Sequence, residues 1–325
     1  MAVTIHDLAK IAGLNASTIS RALRGDERVK PATRKRIQEL ARQHGYSPNL
    51  PARQLARGKT GNLWFCFGSA DSDIERQTAV RLNELFHRQG FDLLLVLHNN
   101  SPERFRQQLK KLYQQAADAA ILIPPNDTNS CESLTELVNS LPVPHLFLDR
   151  YWEGVECPVV TTDNAAAARH LVDRCVEWGA GQFWLDFRSD NPVVRTRARA
   201  AEERLAELGL PWAPFEERRQ LPASAGPPAV VGNAARQEFT EFPGGPLFGA
   251  FFDFWENRTP GLYRKVIFCR QNFARISEIS ADMLRRLIAG ETPAPAFIEI
   301  PPENYLEFWP APACKSRFYG YIRRE

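Results

Sequence analysis

The sequence predicts an all-α helix-turn-helix head followed by an α/β core built on parallel sheets. Three observations predict it. Two short helical patterns flank Gly13-Leu14-Asn15 near the start of the chain. From Asn62 onward the rhythm changes, and short apolar runs alternate with helical patterns. Charge divides at the same place. Residues 1–60 hold twelve Lys or Arg against four Asp or Glu, and the rest of the chain holds 29 against 34. A formal net charge of +3 therefore conceals a head of +8 and a remainder of −5. Such local basicity suits a polyanionic partner for the head alone, or a solvated basic surface.

The bulk properties narrow the function classes. With 44% hydrophobic residues in 325, the chain can bury sizeable cores and is not of disordered composition. Its longest apolar runs, Leu93–Leu97 and Ala119–Pro125, are far too short to span a bilayer. The N-terminal MAVTIHDLAK carries charges where a signal peptide has its apolar core. A cytoplasmic location without a membrane partner is expected. The six cysteines (66, 131, 157, 175, 269, 314) have no CxxC spacing, which predicts reduced thiols and no metal. No nucleophile elbow, P-loop or zinc pattern occurs, and the six histidines lack motif neighbours. No enzyme activity and no cofactor are expected.

In the head, Thr4 is placed to cap a helix whose apolar positions are Ile5, Leu8, Ala9 and Ala12, with Asp7 three residues on. Gly13 closes it, since a left-handed residue there costs glycine little. Asn15 caps a second helix, which buries Ile19 and Leu23 and ends at Gly25. A third follows Pro31, turns Ile37, Leu40 and Ala41 inward, and ends near His44-Gly45. The second helix then projects Ala16, Ser17 and Arg21 outward, and Arg21 can form a forked bond to guanine. Hydroxyls on Thr4, Thr18, Ser20 and Thr33 suit phosphate contacts.

Residues 4–61, with the turn A-x-x-A-G, the helix S-T-x-S-R, the third-helix V-x-x-x-T-R, then G-Y-x-P-N and A-R-x-L-A, resemble the N-terminus of the LacI/GalR family of bacterial transcription regulators. The resemblance implies that Ala16, Ser17 and Arg21 read bases. One departure is Lys30-Pro31, where a serine is common. The expected domains are 1–46 for the DNA-binding head, 47–60 for a hinge, and 61–325 for an effector-binding and dimerisation core.

Within the hinge, Pro51 suits a first helical turn, and Ala52 to Arg57 is too short to be stable alone. By resemblance this helix pairs with its twin in a homodimer and enters the minor groove, with Leu55 as the wedge. Ala52 and Ala56 would keep the pair close, while Asn49, Arg53, Arg57 and Lys59 complete the DNA-binding set. The alternative is a flexible tether with Leu55 tucked into the core. A helix that folds at only one spacing of two protomers acts as a switch, so movement of the cores would loosen DNA.

The core resembles the two-lobed periplasmic-binding-protein-like domain of that family. The lobes are expected at about 61–158 with 270–291, and about 159–269 with 292–325. A strand at Asn62–Gly68, a helix at Ala79–Gly90, a helix at Pro102–Ala116 and a helix at Val194–Leu208 are among the expected elements. Ligands in open α/β sheets sit beyond the carboxyl ends of the strands. Ser69, Asp71 and Asp73, then Asp149-Arg150, then Asp163-Asn164 fall there, with Arg195, Arg197 and Arg199 opening a helix. By resemblance, Asp149 and Arg197 contact the effector, and Asn233 and Asp253 match further effector-binding segments. Carboxylates and amides suit sugar hydroxyls, and arginines suit a phosphate or carboxylate. Arg150, Arg195 and Arg197 together suggest an anionic ligand. The core is nearest to the catabolite repressor/activator subgroup, whose effectors are sugar phosphates.

Two departures trim the second lobe. Ala234 and Phe254 stand where the family has acids, and only twenty residues separate Asn233 from Asp253. The expected protein is a dimeric repressor that binds a pseudo-palindromic operator in double-stranded DNA and answers to a sugar or sugar-phosphate effector. The alternatives are a regulator with a degenerate pocket, governed by dimerisation or a protein partner, and a sugar-binding protein without regulatory role.

Overall fold

Thr4 opens helix α1 (Ile5–Ala12) by a reciprocal cap. Its hydroxyl accepts the Asp7 N–H at 3.3 Å, and the Asp7 carboxylate accepts the Thr4 N–H at 3.0 Å. Gly13 ends the helix at φ +68°, in the left-handed region. Asn15 caps α2 (Ala16–Leu23) by accepting the Thr18 N–H at 2.8 Å, and Pro31 begins α3 (Pro31–Gln43). Leu8, Ile19, Ala22 and Ile37 are fully buried where the three helices meet. Leu23, expected inward beside Ile19, is only partly buried, and the small Ala22 takes the interior position instead. A methyl group there lets the short helices approach closely.

The computed structural model describes residues 3–46, 60–114, 116–126, 131–221, 226–235, 247–253, 263–294, 296–308 and 322–324. The chain divides into two units, Met1–Thr60 and Gly61–Glu325. The second holds two sheets. In the first, β1 (Asn62–Phe67), β2 (Asp92–Leu97), β3 (Ala119–Leu122), β4 (His145–Leu148), β5 (Val159–Thr162) and β11 (Phe297–Ile300) run parallel in the order β11-β5-β4-β3-β1-β2. The two-residue period of β1 divides its side chains between two cores. Leu63, Phe65 and Phe67 pack under α4 (Asp73–His87) and α9 (Phe273–Ile288). Trp64 and Cys66 pack under α5 (Pro102–Tyr113) and α6 (Cys131–Asn139).

The second sheet has the order β13-β12-β10-β9-β8-β6-β7. Its strands are β6 (Gln182–Asp186), β7 (Trp212–Pro214), β8 (Pro228–Ala234), β9 (Leu247–Asp253), β10 (Tyr263–Arg270), β12 (Asn304–Phe308) and β13 (Ile322–Arg324). Among the described residues, only the pairings of β12 with β10 and with β13 are antiparallel. Helices α7 (Asn164–Glu177) and α8 (Pro192–Glu207) cover Phe183, Leu185, Val231 and Phe252 on one face. Trp184, Phe251 and Phe268 form a largely aromatic cluster with Phe215 and Val230 on the other.

The structure corrects three expectations. The lobes do not divide at 158/159, because β5 pairs with β4 and belongs to the first sheet. Nor does the chain stay in the second lobe after 292, because β11 adds to β5 through Phe297 against Val159. The fully buried Val159–Thr162 needs a partner on each edge, and β11 supplies the outer one. The helix expected from Ala79 begins six residues earlier, where Ser72 caps it. No helix among the described residues is long and apolar enough to cross a membrane.

Candidate functional site

On α2 the buried side is fixed by Ile19 and Ala22, which leaves Ser17 and Arg21 exposed on the opposite side and Ala16 half-buried. The Arg21 side chain has no hydrogen bond among the described residues, and Asp26 is the nearby carboxylate that senses its charge. Its neighbours are engaged. Ser17 and Thr18 hydroxyls both donate to Asn15 Oδ1, at 2.7 and 2.8 Å, and the Ser20 hydroxyl accepts from Arg24 at 2.9 Å. The Thr4 hydroxyl donates to Asp7 at 2.7 Å. Thr33 is half-buried in the first turn of α3. Arg34 and Arg36 donate to the backbone carbonyls of Val29 and Ala12, at 3.2 and 3.3 Å, and so brace the helices. The hinge residues Asn49, Ala52, Arg53, Leu55, Ala56, Arg57 and Lys59 lie outside the described residues.

In the core, the carboxyl ends of β1 to β4 converge on Arg150. The residue is 8% exposed, and its guanidinium donates to Asn100 Oδ1 at 2.9 Å and Asn126 Oδ1 at 2.6 Å. It also makes an ion pair with Glu75, itself 5% exposed. The second Glu75 oxygen accepts the Ser69 N–H at 2.7 Å. Gly68 makes room for this group, since a Cβ there would lie 2.8 Å from Asn100 Oδ1. Asp149 occupies the left-handed region at φ +62°, a backbone strain of about 1–3 kcal/mol for a residue with a Cβ. Its Oδ1 is buried without a hydrogen-bond partner among the described residues. His98 is buried beside this group. Its Nε2 lies 2.8 Å from the Ile123 carbonyl, which can only accept, so Nε2 carries the proton. Burial, aided by the charge of Arg150, pushes its pKa down to about 4.

The second lobe contributes Arg197, 5% exposed, on α8. It donates to Asn164 Oδ1 at 2.7 Å and Asn233 Oδ1 at 3.1 Å, and its guanidinium lies 3.9 Å from the Phe252 ring centre. Asn164 in turn donates to the Thr162 carbonyl at 2.7 Å, and Thr162 Oγ1 donates to Gln271 at 2.7 Å. Arg197 is thereby connected to two of the strands that cross between lobes. The two lobes also meet through an Arg195–Glu153 pair at 3.4 Å.

Of the expected ligand residues, Ser69, Asp149 and Arg150 come together in the first lobe, and Arg197 and Asn233 in the second. Arg195 is exposed and shared between Asp190 and Glu153. Asp71 is an exposed turn residue whose N–H bonds the Ser69 hydroxyl at 3.1 Å, Asp163 is the cap of α7, and Arg199 pairs with Glu203 on the surface. Asp253 ends β9, and its side chain, like that of Asp73, lies outside the described residues. The expected anion-binding trio is not one free positive cluster, because Arg150 and Arg195 each face a carboxylate. Glu75, Asn100 and Asn126 escaped the sequence reading. A signal for Glu75 existed in Ser72-x-x-Glu75, which marks a helix start. No group of three or more metal-ligating side chains occurs among the described residues.

Residues 4–49 match the family model of the bacterial regulatory proteins, lacI family. The chain is similar to catabolite control protein A of Staphylococcus aureus (strain MRSA252), at 26% identity over 185 residues that cover 57% of this chain and 55% of that protein. It thus spans about half the length of that curated relative. Its fold is similar to that of the lac repressor dimer bound to operator and the anti-inducer ONPF, with a TM-score of 0.72 at 19% identity over 93% of this chain and 97% of that one. It is also similar to the Cra transcriptional dual regulator from Pseudomonas putida in complex with fructose 1-phosphate, with a TM-score of 0.59 at 17% identity over 75% and 97%. At such identities the likeness is one of fold and singles out no subgroup.

Proposed function

We propose that this chain, whose residues 4–49 match the family model of the bacterial regulatory proteins, lacI family, is a sequence-specific DNA-binding transcriptional regulator rather than an enzyme. It acts in the cytoplasm as a homodimeric repressor on a pseudo-palindromic operator, and a small sugar or sugar phosphate in the core adjusts its affinity. The observation that carries this reading is the exposed Arg21 on a helix whose opposite side is pinned by Ile19 and Ala22. A guanidinium held out on a rigid scaffold is suited to the O6/N7 edge of guanine. Residues 47–60 serve as the hinge, with Leu55 as the groove wedge.

Asp149 and Arg197 face the ligand from the two lobes. Asp149 supports the reading because a strained, buried carboxylate oxygen is ready to accept from a hydroxyl. Arg197 supports it because a group there would act on the Asn164–Thr162–Gln271 chain between lobes. The test is selection of genomic fragments by the purified chain, followed by fluorescence anisotropy on the selected duplex and on a scrambled one. Selective binding that weakens steeply with salt is expected. Equal affinity for both duplexes at cellular ionic strength would refute the proposal.

A further inference from the structure

We propose that Glu75 is a specificity-determining residue of the core cleft: its carboxylate occupies the anion-accepting side of Arg150, so this wall receives an uncharged, hydroxylated ligand and turns away a phosphorylated one. The inference rests on the reading of the core as an effector-binding unit.

Arg150 follows β4, at the end of the sheet where ligands of open α/β folds sit. A guanidinium there would ordinarily be a receptor for phosphate. Its two terminal nitrogens already donate to the chain itself, Nη2 to Glu75 and Nη1 to Asn100 and Asn126. Both carboxylate oxygens of Glu75 are held, one by Arg150 and the other by the Ser69 N–H at 2.7 Å. A backbone N–H and a guanidinium around one carboxylate make an anion cradle, and the anion in it belongs to α4. Both partners are buried, so water screens the pair little. Positive and negative charge cancel at this wall, and the carboxylate of Asp149 remains over. An incoming phosphate would meet like charge there, whereas a sugar hydroxyl can donate to Asp149 and accept from the amides of Asn100 and Asn126. Arg195 does not restore a positive field, since it is exposed and faces Asp190 and Glu153.

The experiment titrates the full chain with inorganic phosphate and with fructose 1-phosphate by isothermal calorimetry. It compares wild type, Glu75→Gln, Arg150→Gln and the double variant. Wild type is expected to show no phosphate binding that depends on Arg150. Glu75→Gln should bind inorganic phosphate at least about tenfold more tightly than wild type, and the double variant should lose that gain. A folded Glu75→Gln chain with no gain overturns the proposal. So does fructose 1-phosphate binding by wild type that Arg150→Gln weakens by about tenfold or more. Should Glu75→Gln fail to fold, the wild-type and Arg150→Gln titrations still decide. Arg150-dependent binding of either phosphate sinks the idea, and its absence supports it. Duplex selectivity of the wild type is measured separately. Its absence refutes the regulator reading and leaves the phosphate result to stand by itself.

Discussion

In the head, Arg21 stands exposed on a helix whose other side is fixed by Ile19 and Ala22. In the core, Arg150 and Arg197 are buried, and each is held by acceptors drawn from other elements. The same side chain serves opposite purposes. A guanidinium meant for an external polyanion keeps its hydration and is desolvated only on contact. A guanidinium that shapes a cleft must be satisfied before any ligand arrives, because an unpaired buried charge is costly. On the proposed reading, the head therefore keeps its recognition chemistry outside a small apolar centre. The core builds its chemistry into the ends of the strands.

The sharpest way to break this contrast is to remove the apolar centre of the head. Ile37 is fully buried among Leu8, Ile19 and Ala22. Ile37→Ala should cost about 2–5 kcal/mol, comparable to the whole stability of a unit this small. The head should unfold and duplex binding should vanish, while the core keeps its own transition in calorimetry. A single shared transition that shifts as a whole would contradict the separation into two units.

Next in size is the buried pair of the core. Arg150→Ala leaves Glu75 buried with only the Ser69 N–H, and should destabilise the core by about 3–5 kcal/mol in urea unfolding. Replacing both residues by methionine should restore most of that loss, since well-packed apolar groups often match a buried ion pair. Loss of under about 1 kcal/mol for Arg150→Ala would mean that water reaches the pair.

The core should also be sensitive to mild acid. His98 is neutral in the folded chain, with its pKa pushed from 6.5 down to about 4 by burial. As pH falls through 6.5, the unfolded chain takes up a proton that the folded chain refuses, so stability is lost until about pH 4. His145, also lowered by burial, adds in the same direction. His98→Leu should flatten the slope of core stability across this window, as read by urea midpoints at several pH values. An unchanged slope would place the sensitivity elsewhere.

These contrasts explain what was legible in the sequence. Caps and turns are local, so Thr4 with Asp7, Gly13 and Asn15 announce themselves by spacing alone. The strand rhythm is equally visible, because the burial of β1 on both faces demands an unbroken apolar run. Sheet membership is not local. That β5 and β11 join the first sheet follows from edges that need partners far away in sequence. Glu75 was hidden for a related reason. The polar first turn of α4 shows no apolar period, and the partner of Glu75 is Arg150, seventy-five residues further on. Its motif, Ser72-x-x-Glu75, looks like a capping box, yet only half of it forms. Ser72 accepts the Glu75 N–H at 3.3 Å, while the carboxylate leaves the helix end for Ser69 and Arg150. The exposure of Arg21 was readable because no distant side chain pairs with it among the described residues.

That freedom sets the next prediction. Arg21→Ala should leave the melting of the head within about 0.5 kcal/mol, as expected of a surface residue, and remove about 1–3 kcal/mol of discrimination between the selected duplex and one altered at the contacted base. A comparable loss on both duplexes would recast Arg21 as a phosphate contact.

The smallest effect belongs to the cap of α1, and it separates local from global stability. Thr4→Ala removes the hydroxyl that accepts the Asp7 N–H and should cost the head about 1 kcal/mol. Bonds from the Thr4 hydroxyl and N–H hold the Asp7 carboxyl below its ordinary range. The stability it contributes is thus present above the ordinary carboxylate pKa and is lost as pH falls through the lowered value. Thr4→Ala should therefore weaken the head most near neutral pH and least in strong acid, where the wild-type cap has lost its charge as well. Thermal melts of the head at neutral and acidic pH measure this difference. A constant gap between the two proteins would show that the bond from the Thr4 hydroxyl to the Asp7 carboxylate adds nothing.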